Sequence, residues 1–379
     1  DAQGVALVLN AYAKLDMIDK DLFMYLGKVA EELPAGSFNA QAVSNVANAF
    51  ARAEMSNPAL FAKLSEMAQS LSAHQFSSQG VSTILNAFAK LDVQDQMLFQ
   101  HLGNVAKTMD TATFQPQALA NILNSFVKAE VYDRELFSHL AIVAEEIPPE
   151  EYGGQSIGVM LNAFIRSPDP NPQLFRYMSK VALSLPSRLF EAQNVALVVN
   201  AFAKAGIGDT ALFRHMAEAA INLELRSDDA QNVAVIMNAF TKSEVSESDP
   251  LVAQLFSKIA HSIQILKLKT TNTQAIGNII NSYARHMHSR NGGVGVVTPT
   301  PEDENLFRHM SELAMQLDEH CFDPLSITLF VNSFSRAGIA DEKLFYHLSR
   351  ITQKLPISEF DGQSVANIVF SFSRCDISD

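Results

Sequence analysis

Apolar residues recur along this chain in paired helical stripes. Val81, Ile84, Leu85 and Phe88 fall at helical spacing, and so do Leu98, Phe99, Leu102, Val105 and Ala106 after a short polar break. Phe76 and Ser77, ahead of the first stripe, read as a hydrophobic lead-in and an N-cap. The same pair returns as Phe38-Asn39, Phe322-Asp323 and Phe360-Asp361. The stripe predicts a first helix ending near Lys90 or Leu91, a tight turn, and a second helix starting near Asp95. Proline then breaks the connection to the next pair of stripes at Pro34, Pro148, Pro186 and Pro356.

This unit repeats. The pattern Gln-x6-Asn-[Ala/Ser]-[Phe/Tyr]-x-[Lys/Arg] places its Asn at Asn10, Asn48, Asn86, Asn124, Asn162, Asn200 and Asn238, 38 residues apart. It reappears at Asn281 and Asn332 after 43 and 51 residues, and Phe370 takes the Asn place in a tenth copy. A period of this size marks an array whose units bury their apolar faces only by stacking on neighbours. The expectation is an all-α chain: one α-solenoid over residues 1–379, built from about nine to ten helical-hairpin repeats of 38 residues. Extra residues at about 246–250 and 288–301 fall between the two helices of their units. The second insertion is rich in Gly and Pro and is expected to be a mobile edge loop.

At about 100° per residue the first helix sorts into two faces. Counting from the Gln, offsets +2, +5, +6 and +9 share one arc and are apolar in every copy. The aromatic column Tyr12, Phe50, Phe88, Phe126, Phe164, Phe202, Phe240, Tyr283, Phe334 and Phe372 lies in that arc and is expected to be core. Offsets 0, +7 and +11, within about 20° of one another on the far side, hold the Gln, the Asn and a basic residue. The basic column is Lys14, Arg52, Lys90, Lys128, Arg166, Lys204, Lys242, Arg285, Arg336 and Arg374, ten of the 28 Lys and Arg residues. Packing does not require charge there, so these ten are candidate RNA phosphate contacts. Their structural alternatives are complementing the helix dipole or pairing with Asp16, Glu54, Asp92, Glu130 or Glu244. Asn48, Asn86, Asn124, Asn162, Asn200 and Asn238 are candidate contacts to bases or backbone; alternatively they bond the neighbouring repeat and fix the stacking angle. The Gln, near the second helical position, alternatively caps orphan amides.

Offset +4 on the same face varies from copy to copy. Asn45, Thr83, Asn121 and Asn278 stand there beside Leu7, Val159, Leu197, Val235, Leu329 and Asn367. A variable site beside fixed polar rungs suits a modular reader of bases, or else an edge of the inter-repeat contact. The second helix carries its own column of Tyr25, Lys63, His101, His139, Tyr177, His215, Lys258, His309 and His347. One rung per repeat is too widely spaced for shared metal ligation, so this column is expected to cover the seam between second helices.

Composition narrows the function. A net charge of -13 argues against nucleic acid as a bulk property, which makes the position of the cations decisive. Cys321 and Cys375 give neither a disulfide framework nor a zinc site, so a reducing compartment is the easier reading. No apolar run reaches the length of a membrane helix. There is no phosphate loop after a strand, no clustered carboxylate pair and no nucleophile with a partner motif. The expectation is a non-enzyme with no cofactor, no metal and no small-molecule substrate. The chain opens at Asp1 almost on a repeat helix and closes at Asp379 just past another, as the processed or ordered part of a longer chain would.

The 38-residue period, the Leu-Phe opening of the second helix and the Asn-Ala-Phe-Ala-Lys ending of the first resemble the octotricopeptide and heptatricopeptide helical repeats of algae and apicomplexan-type protists. Ile147-Pro148-Pro149-Glu150-Glu151-Tyr152 is similar to the Pro-rich, aromatic-ending motif of octotricopeptide units. The likeness spans essentially the whole chain, without a visible RAP domain. It implies a mitochondrial protein, or alternatively a plastid one, that acts on organellar RNA as a scaffold, foremost within a mitochondrial ribosome or similar ribonucleoprotein. First helices would then line a concave face carrying the Lys/Arg ladder, with ribosomal RNA and ribosomal or assembly proteins as partners. The rival reading is a protein- or peptide-binding structural solenoid in a large assembly, without direct RNA contact.

Overall fold

A helix as short as these holds in water only if its ends are capped and its apolar face is covered. Both conditions are met repeat after repeat in the computed structural model, which describes residues 1–168, 171–226, 228–243, 249–263, 273–292 and 297–377. Those residues form helices and turns and contain no strand. They divide into two compact units, Asp1–Leu185 and Pro186–Asp379.

The first unit consists of α1 (Ala2–Lys14), α2 (Lys20–Glu32), α3 (Ala40–Arg52), α4 (Pro58–Ser70), α5 (Ser78–Lys90), α6 (Gln96–Thr108), α7 (Pro116–Lys128), α8 (Arg134–Glu146), α9 (Gly154–Arg166) and α10 (Pro172–Ser184). Every one is 13 residues long. Odd-numbered helices are the first helices of repeats and pack on one another; even-numbered second helices form a parallel, looser layer. The first helices pack more closely on one another than the second helices do.

Local chemistry sets these boundaries. Asp95 accepts from the Leu98 amide at 2.9 Å and opens α6, while Asn57 and Asp133 open α4 and α8 in the same way. Ser77 caps α5 through the Gly80 amide at 3.1 Å, as its position beside Phe76 predicts. The helices α1, α3, α5 and α7 end in a Schellman turn. The Met17, Met55, Val93 and Val131 amides donate back to the carbonyls of Tyr12, Phe50, Phe88 and Phe126 at 2.9–3.1 Å. The residue before each donor, Asp16, Glu54, Asp92 or Glu130, takes a left-handed φ of 54–56°. A single 3-10 turn then leads into the next repeat, directly after Pro34 at Ala35–Ser37 and after Pro148 at Pro149–Glu151.

The core runs between the layers. Phe50, Phe88, Phe126 and Phe164 are buried, as the helical arc predicts. Each is met edge-on by a second-helix phenylalanine of the preceding repeat. The pairs are Phe23–Phe50, Phe61–Phe88, Phe99–Phe126 and Phe137–Phe164, with centroids 4.8–5.6 Å apart. One aromatic contact therefore ties each repeat of this unit to the next.

The second unit consists of α11 (Ala192–Ala205), α12 (Thr210–Asn222), α13 (Ala230–Lys242), α14 (Pro250–Ser262), α15 (Thr273–Arg290), α16 (Pro301–Ala314), α17 (Pro324–Ala337), α18 (Glu342–Thr352) and α19 (Gly362–Arg374). It repeats the two-layer scheme, with α15 and α17 packed most closely. Gly277 permits this approach, since a Cβ there would lie 3.0 Å from the Leu329 Cβ. Glycine replaces the acid in two of the Schellman turns, Gly206 and Gly338, where φ is 66° and 72°.

Residues 244–248, within and just before the shorter insertion, lie outside the described residues, as do 293–296 within the longer one. The longer insertion starts as helix: α15 runs five residues past Arg285, so His288, Ser289 and Arg290 are helical. Its far end is tied down by Asp303, which is fully buried. The Asp303 carboxylate accepts from the Tyr283 hydroxyl at 3.0 Å, from Arg290 Nη2 at 2.5 Å, and from the Thr300 amide and hydroxyl at 2.8 Å. Burial pushes this carboxyl up, but the Thr300 and Arg290 bonds outweigh it and hold it below the usual carboxylate range.

The second-helix column sits on the seam. His101, Tyr177, His215 and His347 pack edge-on against the lead-in aromatics Phe76, Tyr152, Phe190 and Phe322. Among the described residues, no group of three or more His, Cys, Asp or Glu is arranged to hold a metal, and no helix is long and apolar enough to cross a membrane.

Candidate nucleic-acid interface

The stripe opposite the core is the candidate site, and the structure puts it at the surface. In the first unit Lys14, Arg52, Lys90, Lys128 and Arg166 are exposed in the last turn of successive first helices. In the second unit Lys204, Lys242 and Arg374 are exposed, while Arg285 and Arg336 are partly buried. Asn10, Asn48, Asn86, Asn124 and Asn162 stand one turn earlier in the first unit. Asn200, Asn238, Asn281 and Asn332 do so in the second, all partly buried.

The structural alternatives are tested rung by rung. Arg52 Nε donates to the Ala13 carbonyl at 3.1 Å, and Arg285 Nη2 reaches the Thr241 carbonyl at 3.4 Å. Two arginines thus also satisfy the C-terminal carbonyls of the preceding first helix. Lys90 lies 3.4 Å from Glu54, with both ends exposed, and is the one rung in a carboxylate pair among the described residues. Exposed pairs of this kind hold little free energy and exchange readily for a stronger anion. Glu244 lies outside the described residues.

The Asn rungs are freer still. Among the described residues, no hydrogen bond engages the side-chain amides of Asn48, Asn86, Asn124, Asn162, Asn200 or Asn238. The expected alternative, a bond to the neighbouring repeat, is therefore not made. A column of open donors and acceptors beside a column of cations is the surface an extended polyanion uses.

The variable offset +4 is partly buried at Asn45, Thr83, Asn121 and Asn278. Asn121 accepts from Gln117 Nε2 at 3.1 Å, one turn back on the same helix. Its amide is thus half committed to its own helix.

Two cavities open on this face, one in each unit. The first, about 550 Å³, gathers Asn10, Lys14, Gln41, Asn45, Asn48, Gln79 and Thr83 from α1, α3 and α5. The second, about 800 Å³, lies over α15, α17 and α19 and brings together Arg285, Arg336 and Arg374 with Asn281, Asn332, Asn367 and Gln363. Arg336 is pushed below its ordinary pKa by burial first and then by the two neighbouring guanidiniums. Asp361 is the carboxylate on this rim, and it is occupied in capping α19 through the Ser364 amide at 2.7 Å.

One element was not foreseen from the sequence: the left-handed residue two places after Lys14, Arg52, Lys90, Lys128, Lys204, Arg336 and Arg374. It is acidic in the first four repeats and again at Asp376, and glycine at 206 and 338, whereas Met287 after Arg285 stays helical within α15. The signal was present, because the next residue is always Met, Val or Ile where the turn forms. A hydrophobic residue after Gly206 and Gly338 marks a Schellman turn.

A family model for the RNA-editing substrate-binding complex 6 protein matches residues 1–285. No curated protein matches the chain. Among solved structures, it is similar to a homology model of the full-length AP-3 complex in an intermediate open conformation, at 9% identity and a TM-score of 0.33. That match covers 98% of this chain and 75% of the other. It is also similar to a pentatricopeptide repeat protein from maize, at 9% identity and a TM-score of 0.15, over 100% of this chain and 82% of the other. Likeness at this level carries no argument, and the fold class rests on the helices described above.

Proposed function

The chain belongs to the RNA-editing substrate-binding complex 6 family, and on that premise we propose that it is a non-enzymatic RNA-binding scaffold of an organellar RNA-handling assembly. The ladder Lys14 to Arg374 neutralises RNA phosphates, and the Asn rungs beside it contact bases or sugar. One observation carries this reading. A cation recurs in every repeat on the face turned from the core, and beside it, from Asn48 to Asn238, stands an Asn amide that no hydrogen bond engages among the described residues. The family description favours an editing complex over a ribosome as the setting, and a mitochondrial location belongs to the same proposal. So does the continuity of the two units as one array with its first helices on a concave face.

Phosphate contacts release counterions, so binding to single-stranded RNA should fall steeply with salt, and removing rungs should flatten that slope. Filter binding of the full chain over a salt series, with and without reversal of Lys90, Lys128 and Lys204 to Glu, tests the reading. RNA affinity that is absent, or unaltered by the reversals, overturns it. The rival, a protein-docking scaffold, is favoured by the acids that follow the cations in the first four repeats, and it predicts retained partner binding in the same reversals.

A further inference from the structure

The ladder is not uniform. In the first unit an acid follows each of the rungs Lys14, Arg52, Lys90 and Lys128 two residues later. After Arg285 and Arg336 that place holds Met287 and Gly338. Arg285 and Arg336 therefore stand without that acid, as Arg166 and Lys204 also do, while Asp376 follows Arg374; no carboxylate pairs with Arg285, Arg336 or Arg374 among the described residues.

The cavity above them differs from its counterpart in the first unit in three further ways. All three of its cations are arginine, whose planar fork matches a phosphate with two parallel bonds. The repeat of Asn332 carries Leu325 where the others carry Gln, so Leu325 and Leu329 give one wall an apolar surface. The extra turn of α15, unique to this repeat, adds His288 and Ser289 to the rim. The Ser289 hydroxyl oxygen is shielded from solvent and has no hydrogen-bond partner. Burial first, and then the neighbouring Arg285 and Arg374 guanidiniums, depress Arg336, and an anion seated among the three would relieve their mutual repulsion.

We propose that the cavity over α15, α17 and α19 is a seat for a single nucleotide, holding its phosphate among Arg285, Arg336 and Arg374 and its base against Leu325 and Leu329. The volume of about 800 Å³ is in the range of small-ligand clefts. Asn281 and Asn332 supply donors and acceptors for the base edge. The inference rests on the RNA reading above in taking the nucleotide to be part of a strand, and it makes this cavity the point where the strand is held in fixed register.

The test uses the full chain, titrated calorimetrically with uridine monophosphate and with inorganic phosphate, alongside binding of a short oligouridylate. Arg336→Gln and Arg374→Gln should each weaken the monophosphate by about ten-fold or more, whereas Lys90→Gln and Lys128→Gln should leave it unchanged. Leu325→Gln, at an exposed position, restores the residue of the other repeats. It should weaken uridine monophosphate while sparing inorganic phosphate. Equal loss from all rungs, or no binding of either small ligand, overturns the seat. Equal affinity for the nucleotide and for bare phosphate overturns the base contact. A chain that binds the monophosphate but not the oligouridylate keeps the seat and refutes the RNA scaffold; one that binds the oligouridylate through all rungs alike does the reverse.

Discussion

Phe61 and Phe88 meet edge to face with ring centroids 4.8 Å apart, one from the second helix of a repeat and the other from the first helix of the next. Both are completely buried. Truncating Phe88 to Ala removes its own packing and the inter-repeat contact together, at a cost of about 3–5 kcal/mol. The loss should appear first in α3–α7, because each repeat contacts only its neighbours. Hydrogen exchange resolved by helix would show protection falling there before it falls in α9. Uniform loss over the whole chain would contradict the nearest-neighbour account.

Asp303→Ala should destabilise the second unit by about 3–5 kcal/mol, since it strands the Arg290 charge and the Tyr283 hydroxyl. The folded carboxyl is held below its unfolded value, so its contribution is complete above about pH 4 and is lost as pH falls through the folded value. Urea midpoints between pH 7 and pH 3 should therefore drop more for the native protein than for Asp303→Asn. Parallel curves would exclude Asp303 as a source of the acid sensitivity.

Glu130→Gly places the residue best suited to a left-handed φ where a strained acid now stands. Relief of strain and the added freedom of the unfolded chain oppose each other, so stability should change by no more than about 1 kcal/mol. RNA affinity should rise, because an anion beside Lys128 is gone. A thermal melt and a binding isotherm on one preparation measure both, and weaker binding would count against the ladder.

Asn124→Ala should leave stability within about 0.5 kcal/mol of the native value, as its amide has no partner in the protein, while weakening RNA. Asn121→Leu, by contrast, gives up a bond from Gln117 within α7, so its effect should fall on stability more than on selectivity among RNA sequences. A melt that drops for Asn124→Ala would return the rung to a structural role.

The two-helix unit, its caps and its buried face were legible in the sequence because each is set within a few residues. Ser77 and Asp95 need only the next turn of chain to act as caps. The Phe88 arc is fixed by helical spacing alone. What escaped notice depends on chain reversal or on distant partners. Asp16 and Glu54 do not look like left-handed residues, since that conformation is imposed by the Met17 and Met55 amides reaching back a turn. The Asp303 network joins residues 283, 290, 300 and 303 across an irregular connection that no periodicity describes. The crowding of Arg285, Arg336 and Arg374 likewise follows from how closely α15, α17 and α19 pack, a closeness that Gly277 allows but does not announce.

The uniform length of α1 to α10 has a consequence for how this molecule can change size. Excising residues 79–116 would join Ser78 to Gln117 in phase, and the new junction would reunite surfaces of the same kind as those it separated. A residue gained or lost within a helix would instead rotate the stripe beyond it by about 100°, turning it off its neighbours, whereas extra residues between helices are absorbed, as at 246–250 and 288–301. The length of the array is therefore quantised: it grows or shrinks by whole repeats, and odd residues are taken up only in the connections between helices.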